Sequence, residues 1–346
     1  MLNINIILSI ILIFFCSFIS TYLVIPFLIE KLVRRGIVGT DLNKYDKPKI
    51  PEMGGVTVLF GFSLGIILSI FINTYLKFFS INLTIIFAVF CTALLIGLLG
   101  VVDDLIGWKK GIRQWQHALF PLVAALPLMA VKAGVNEMTF PLIGAVYFGV
   151  YYSLIFVPLG ITGASNAFNM LAGLNGLEVG LGLISFFTLL VISIVNFLNP
   201  LYVGNSLESI ILIASIMGAL IAFLKFNWYP TKIFPGDSLT LMNGALIASI
   251  VIIGNMEKIG IILIALFFIE LLFKAKHRFQ SQCFGIPQKD GTLKADPRGG
   301  SLTQWIMRRG KFTEIRVVSI ILFLQCIIAA ITLIYFYLNF IGAINF

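Results

Sequence analysis

Long apolar runs separated by short polar connections govern the chain. Runs at about 4–29, 55–75, 83–102, 117–132, 143–160, 177–198, 208–226, 238–256, 258–274 and 317–341 are each long enough, or nearly so, to cross a bilayer as a helix. They predict about ten transmembrane helices. The segments near 117–132 and 143–160 are short and hold Pro121, Pro127 and Pro158, so kinks or tilts are expected there. The first run is longer than a signal peptide's apolar core of about 7–15 residues and reads as a retained helix. Among the polar connections, Thr162 to Gly176 (TGASNAFNMLAGLNG) carries Asn166, Asn169 and Asn175 and no charge. It reads as the connection between the fifth and sixth helices. In hydrocarbon its amides would cost several kcal/mol each, so a wet or protein-lined cavity is expected around it. The plain alternative is a polar loop that ends one helix and begins the next.

Composition sharpens this picture. The 346 residues are 59% hydrophobic and 11% charged, and the mean hydropathy is +1.04. Soluble domains carry about 25% charged residues. The chain is therefore read as an all-α integral membrane protein, one polytopic domain over 1–346. Cys16, Cys91 and Cys326 sit in apolar runs and Cys283 is alone in a polar loop, which is no disulfide framework. The formal charge of +9 could suggest nucleic acid, but its distribution argues for topology instead. Of the 24 lysines and arginines, 21 fall on one set of alternate connections. The positive-inside rule puts those connections in the cytosol and both termini outside. Topology asks little of acidic residues, yet Asp41, Asp46, Glu52, Asp103, Asp104, Asp237, Asp290, Asp296 and Glu314 share that face. An active site at the cytosolic face follows. The longest polar piece, 274–316, is too short for its own core and reads as a loop over that face.

Several constellations there carry chemistry. Asp103 and Asp104 end the third apolar run, where two carboxylates are costly unless hydrated, paired or metal-bound. One could serve an ion while the other orients a lysine or acts as a base; a solvated helix end is the bland reading. Asp237 follows a Pro-Gly turn and precedes an apolar run, where an aspartate can simply cap a helix. With an amide oxygen from Asn169 it would instead make a partly open site for a hard cation such as Mg²⁺. Lys276, His277 and Arg278 form a basic triplet suited to phosphate, or to anchoring alone. Asp41, Asn43 and Lys44 precede Glu52 and the Gly54-Gly55 pair, whose N–H groups could approach an anion. Phe234 could stack on a planar base. Together these residues describe a nucleotide-diphosphate site at a membrane.

In order, DLNK with PEMGG, the pair at 103–104, NAFNMLAGLNGLE at 166–178, NWYPTKIFPGDS at 227–238 and KHRF at 276–279 resemble the polyprenyl-phosphate N-acetylhexosamine-1-phosphate transferases. Within them the chain is most similar to the archaeal and eukaryotic dolichyl-phosphate GlcNAc-1-phosphotransferase branch. The resemblance covers nearly the whole chain, and the third and fourth blocks are its specific part. It implies a ten-helix fold with a cytosolic active site and a Mg²⁺-dependent reaction (Mn²⁺ as an alternative). UDP-GlcNAc and a polyprenyl or dolichyl phosphate would give a GlcNAc-diphospho-lipid and UMP. It implies Asn169 and Asp237 as metal ligands, with Asn175, Phe234 and Gly173 at the uracil. It implies Lys276, His277 and Arg278 at the diphosphate and sugar, and Asp103 and Asp104 as the family's aspartate pair. Where bacterial branches carry aspartates this chain has Ala172 and Asn175, and it has KHR near the histidine run of the muramyl-peptide enzymes. Both differences argue against a peptidoglycan precursor. A family lysine after the aspartate pair is missing, leaving His117, Arg113 or Lys110 to serve. The short last loop favours an archaeal source and hence the cell membrane; a eukaryotic chain would sit in the endoplasmic reticulum membrane.

These readings make the chain a transferase for the first membrane step of lipid-linked glycan assembly. Lys44, Asp103, Asp104, His277 and Arg278 are its candidate catalytic groups. Asp41, Asn43, Glu52 and Arg113 join the substrate-binding set. Nucleic acid is excluded as a partner, and a homodimer is left open. The competing class is a transporter or flippase for a nucleotide sugar or an anionic lipid, since polar groups near membrane helices also mark transport paths. No repeat relates two halves of the chain, and the polar groups gather at one face, which weighs against transport.

Overall fold

A computed structural model describes residues 4–107, 114–135, 137–140 and 144–342. Most of the apolar runs are helical, as their length and composition require. Among the described residues, six helices are long and apolar enough to cross a membrane: Ile4–Arg34, Gly55–Leu76, Leu83–Leu105, Leu177–Leu198, Ser206–Asn227 and Glu314–Phe340. The first is α1 (Ile4–Arg34), which ends on Lys31 and Arg34 where cations favour a helix C-terminus. A short hairpin follows, β1 (Val38–Thr40) paired antiparallel with β2 (Lys49–Pro51), Gly39 opposite Ile50. Next come α2 (Gly55–Phe71), prolonged by a π-turn at Ile72–Leu76, and α3 (Leu83–Gly107).

The expected spans at 117–132, 143–160 and 258–274 take other forms. The first becomes two consecutive short helices, α4 (Gln114–Ala124) and α5 (Leu126–Ala130), parted beside Pro127, which sits in the first turn of α5. The start of the second is no helix. β3 (Glu137–Phe140) and β4 (Gly144–Tyr147) make a hairpin, Glu137 opposite Tyr147. Helical backbone begins only at residue 150, passes through a π-turn at Tyr152–Phe156 and continues as α6 (Val157–Met170). Asn166 and Asn169 are thus helical, and only residues 171–176 form the connection expected over 162–176. The amides survive in a helix because the protein supplies partners: Asn166 Nδ2 donates to the Thr162 carbonyl at 2.9 Å.

The rest of the bundle is α7 (Leu177–Leu198), α8 (Ser206–Asn227), α9 (Asp237–Ile253), then α10 (Glu257–Leu263) and α11 (Ala265–Lys276), which divide the 258–274 run at Ile264. A three-stranded antiparallel sheet follows, β5 (Ile286–Pro287), β6 (Thr292–Lys294) and β7 (Phe312–Thr313), with β6 central and α12 (Leu302–Met307) between β6 and β7. Finally α13 (Glu314–Phe340) leaves β7 directly.

Helices α8 and α9 form the centre. From Ser238 to Ile253 every side chain of α9 is buried, against α3 and α6 above all. Helix α8 is flanked by α1, α2 and α7. A helix buried all round fills a core, whereas α1 and α13 expose apolar faces to the surroundings, as lipid-facing helices do. The approach of α3 to α9 depends on Gly100. A Cβ there would run into the backbone of Asp237 and Ser238.

Candidate active site

The N-terminus of α9 is the point on which three other segments converge. Gly236 takes φ +72° ahead of the first turn, a left-handed conformation that glycine adopts without strain. Asp237 is the first residue of α9, and the N-cap before it, Gly236, has no side chain with which to cap. Asp104 from α3 does the work instead. Its Oδ1 accepts the Asp237 N–H at 2.8 Å, and its Oδ2 accepts the Ser238 N–H at 3.4 Å. One carboxylate of the pair is therefore used to hold the start of α9, where helical N–H groups lack internal acceptors. The Gly54 and Gly55 N–H groups are also spent on protein, donating to the Phe234 and Pro235 carbonyls at 2.8 and 2.7 Å. The anion-binding reading of that pair is corrected accordingly: it locks α2 to the loop before α9.

Around this junction lies a cavity of about 920 Å³. Asp103, Asp104, Asp237 and Asn169 line it on one side. Asp41, Lys49 and Glu52 line it from the β1–β2 region, Gly173, Asn175 and Glu178 from the 171–178 segment, and Phe234 and Phe284 add aromatic walls. Thr240, one turn into α9, donates its hydroxyl to Asn169 Oδ1 at 2.7 Å, which turns that amide toward the Asp237 turn. Gly173 has φ +110° and lies under the Phe284 ring.

Acid dominates the electrostatics. Six carboxylates line the cavity, and Lys49 is the basic residue among its described lining. Burial first, and the Asp237 charge second, push the Glu52 carboxyl above its ordinary value against the pull of Lys49. Such crowding stores a need for positive charge that a cation would satisfy. No group of three or more His, Cys, Asp or Glu with ligand geometry occurs among the described residues. A carboxylate and an amide oxygen with substrate and water completing the sphere suits Mg²⁺ better than a full protein cage does. Asp237 and Asn169 fit that description.

Other expected site residues stand elsewhere. Lys44 and Asn43 are not among the cavity-lining residues. Asn43 bridges two loops, donating from Nδ2 to the Gly173 carbonyl at 3.0 Å and accepting the Gly285 N–H at 2.9 Å. Lys276 and Arg278 are exposed and outside the lining, and His277 Nδ1 donates to the Phe273 carbonyl at 2.9 Å. The segment nonetheless borders the cavity wall, because Lys274 Nζ donates to the Met170 carbonyl at 2.5 Å. Arg113 and Lys110 lie outside the described residues, and His117 is described only by its backbone, in α4. Cys283 is buried against Met170 and Glu270, and burial pushes its thiol up to about 12, so it is inert.

Sequence reasoning gave no role to Glu178 or to Glu314, although it placed Glu314 on the acidic face, and it passed over Thr240 and Phe284. The first two had a legible signal: a carboxylate at the start of a long apolar helix is costly to bury and so implies a partner.

This geometry defines a class, a multi-pass membrane protein with an acidic, amide-bearing site at one end of its bundle. The sequence profile of glycosyl transferase family 4 matches residues 86–255. A Saccharolobus solfataricus protein, provisionally named a UDP-N-acetylglucosamine–dolichyl-phosphate N-acetylglucosaminephosphotransferase, is 35% identical over 334 residues, 95% of this chain and 97% of its own length. A Dictyostelium discoideum protein of the same named activity is 29% identical over 301 residues, 77% of this chain and 70% of its own. A Halalkalibacterium halodurans phospho-N-acetylmuramoyl-pentapeptide-transferase is 30% identical over 280 residues, 79% and 82% of the two chains. The chain belongs to glycosyl transferase family 4.

Proposed function

We propose that this protein transfers N-acetylglucosamine 1-phosphate from UDP-N-acetylglucosamine to a polyprenyl or dolichyl phosphate, releasing UMP. The observation that carries the reading is one cavity that gathers Asp237, Asn169, Asp103, Gly173 and Phe234, in a chain similar over 95% of its length to a protein named for that reaction. The departures at Ala172, Asn175 and the KHR triplet favour this donor over a muramyl peptide.

In this reading a lipid phosphate oxygen attacks the β-phosphorus of the donor and UMP leaves. Phe234 stacks on the uracil, and Gly173 lets the base approach the backbone. Asp237 and Asn169 would hold Mg²⁺. When bound, the ion offsets charge on the diphosphate oxygens. Asp104 keeps Asp237 in place rather than acting on substrate. Asp103, buried at the cavity wall, is then the member of the pair assigned to take a proton from a mono-ionised lipid phosphate or to orient a cation.

The finer topology belongs to the same proposal. Helices α4 with α5, the π-turn with α6, α9, and α10 with α11 would supply four crossings beyond the six long helices. That gives ten, with both termini outside and the cavity facing the cytosol. An apolar cavity of about 330 Å³ between α6, α9 and α10 would receive the isoprenoid chain along the helix that carries Asn169.

Mass spectrometry of the lipid product tests the donor. Offered UDP-GlcNAc and UDP-MurNAc-pentapeptide with the same polyprenyl phosphate, the protein should form only the GlcNAc-diphospho-lipid. Formation of the muramyl product instead would overturn the assignment.

A further inference from the structure

Behind the 171–176 wall of the cavity, buried polar groups from distant segments meet. Asn175 donates its backbone N–H to Glu314 Oε1 at 2.7 Å and its side-chain Nδ2 to Asp41 Oδ2 at 3.3 Å. Its Oδ1 accepts from Lys44 Nζ at 3.2 Å and from the Thr231 N–H at 3.1 Å. Lys44 Nζ also pairs with Glu314, lies 3.3 Å from Asp41 Oδ2 and sits 4.1 Å from the centre of the Tyr229 ring. Two residues earlier, the Gly173 N–H is held by Glu178 Oε1. Glu314, the first residue of α13, is 3% exposed.

A buried carboxylate without partners would be strongly destabilising, and Glu314 has two, the Lys44 ammonium and the Asn175 N–H. Neither Glu314 nor Lys44 lines the cavity, so their charges are spent on each other and on the loop. What they fix is the backbone and amide of Asn175, which does line it. Both polar atoms of the Asn175 side chain bond to protein, Oδ1 twice and Nδ2 once. Its position is therefore set by this knot.

We infer that Glu314 is a positioning residue for the donor site. By holding the Asn175 N–H and fixing Lys44 against the Asn175 amide, it sets the wall against which the nucleotide rests and ties the last helix to that wall. The inference rests on the phosphotransferase reading above. It assigns Lys44 a supporting place in the same knot, in contrast to the catalytic one expected from the sequence.

The test uses the full-length protein and three variants, Glu314→Ala, Glu314→Gln and Lys44→Met. UMP release is followed against UDP-GlcNAc and, separately, against polyprenyl phosphate, and equilibrium binding of UDP is measured alongside. Glu314→Ala should raise the UDP-GlcNAc KM and the UDP Kd about tenfold, equivalent to about 1.4 kcal/mol, the size of a hydrogen bond to a charged acceptor. The fall in kcat should be smaller and the lipid KM unchanged. Gln keeps an oxygen for the Asn175 N–H and should restore both constants to within about threefold of wild type. Lys44→Met should also act on KM more than on kcat, which keeps the inference testable if Glu314→Ala does not fold. Unchanged UDP affinity in Glu314→Ala would overturn it, as would equal losses in Ala and Gln. A kcat collapse in Lys44→Met at constant KM would overturn it too, by making Lys44 catalytic. If wild type neither binds UDP nor releases UMP, the phosphotransferase reading is what fails.

Discussion

Asp104 and Asp237 show how two aspartates divide their labour. Asp104 carries two hydrogen bonds from the first turn of α9, so it determines where Asp237 points. At the proposed Mg²⁺ site, removing a group that orients a metal ligand would cost about 10–100-fold in metal affinity. Asp104→Ala should therefore weaken Mg²⁺ activation by about that factor, and Asp104→Asn, which keeps an acceptor, by less; a Mg²⁺ titration of UMP release separates them. Equal losses would contradict the positioning role. Glu52 gives a second prediction, with a defined sign. Its carboxyl is raised above 4.5 by burial and by Asp237, so its ionisation opposes folding. That penalty is absent below the unfolded value, grows as pH rises through the folded one and is complete above it. Glu52→Gln should raise the apparent melting temperature at pH 8, and the gain should vanish toward pH 4. A gain that is largest in acid would refute this.

The residues that meet at the cavity were legible as chemistry because buried charge and amides are costly wherever they occur. Their partners were not. The sequence offers Asp237 as a cap or a metal ligand with no hint of Asp104 at the same turn, and Lys44 as a catalytic group with no hint of Glu314, 270 residues away, beside it. Long-range pairing of this kind leaves no periodic trace in one sequence.

At the scale of elements, hydrophobic runs of twenty or more residues gave helices directly. The shorter runs at 117–132 and 258–274 each broke into two helices and the one at 143–160 began as a hairpin strand, since β4 and the lead-in to α6 are as apolar as a helix would be. Packing supplies what hydropathy omits. The closeness of α3 to α9 turns on Gly100, where a Cβ would meet the Asp237–Ser238 backbone. Gly100→Ala should displace the start of α9 and lower both stability and UMP release, by about 1–3 kcal/mol in a thermal or denaturant assay. Gly163 on α6 is the control, since a Cβ there meets nothing within 4 Å. Gly163→Ala should be neutral or stabilising by up to about 1 kcal/mol. If the two substitutions behave alike, the α3–α9 contact does not control the site.

Across the whole molecule, the charge pattern and the acidic cavity point to one working face. In the proposed topology the 21 basic residues on alternate connections would put that face in the cytosol, with α13 returning the chain to the opposite side. Substituted cysteines at 2 and 345, in a background lacking the native ones, should react with a membrane-impermeant maleimide on intact cells, and one at 289 should not. Labelling at 289 alone would invert the topology.

The central claim is that this cavity transfers a sugar phosphate to lipid with a metal held at Asp237. Release of UMP by the purified protein from UDP-GlcNAc, a short polyprenyl phosphate and Mg²⁺ tests it most directly, beside Asp237→Ala and an EDTA control. Lipid-dependent UMP that disappears in both controls is the result expected. Nucleotide or lipid binding with no UMP from any UDP-N-acetylhexosamine would contradict it and move the transport reading ahead.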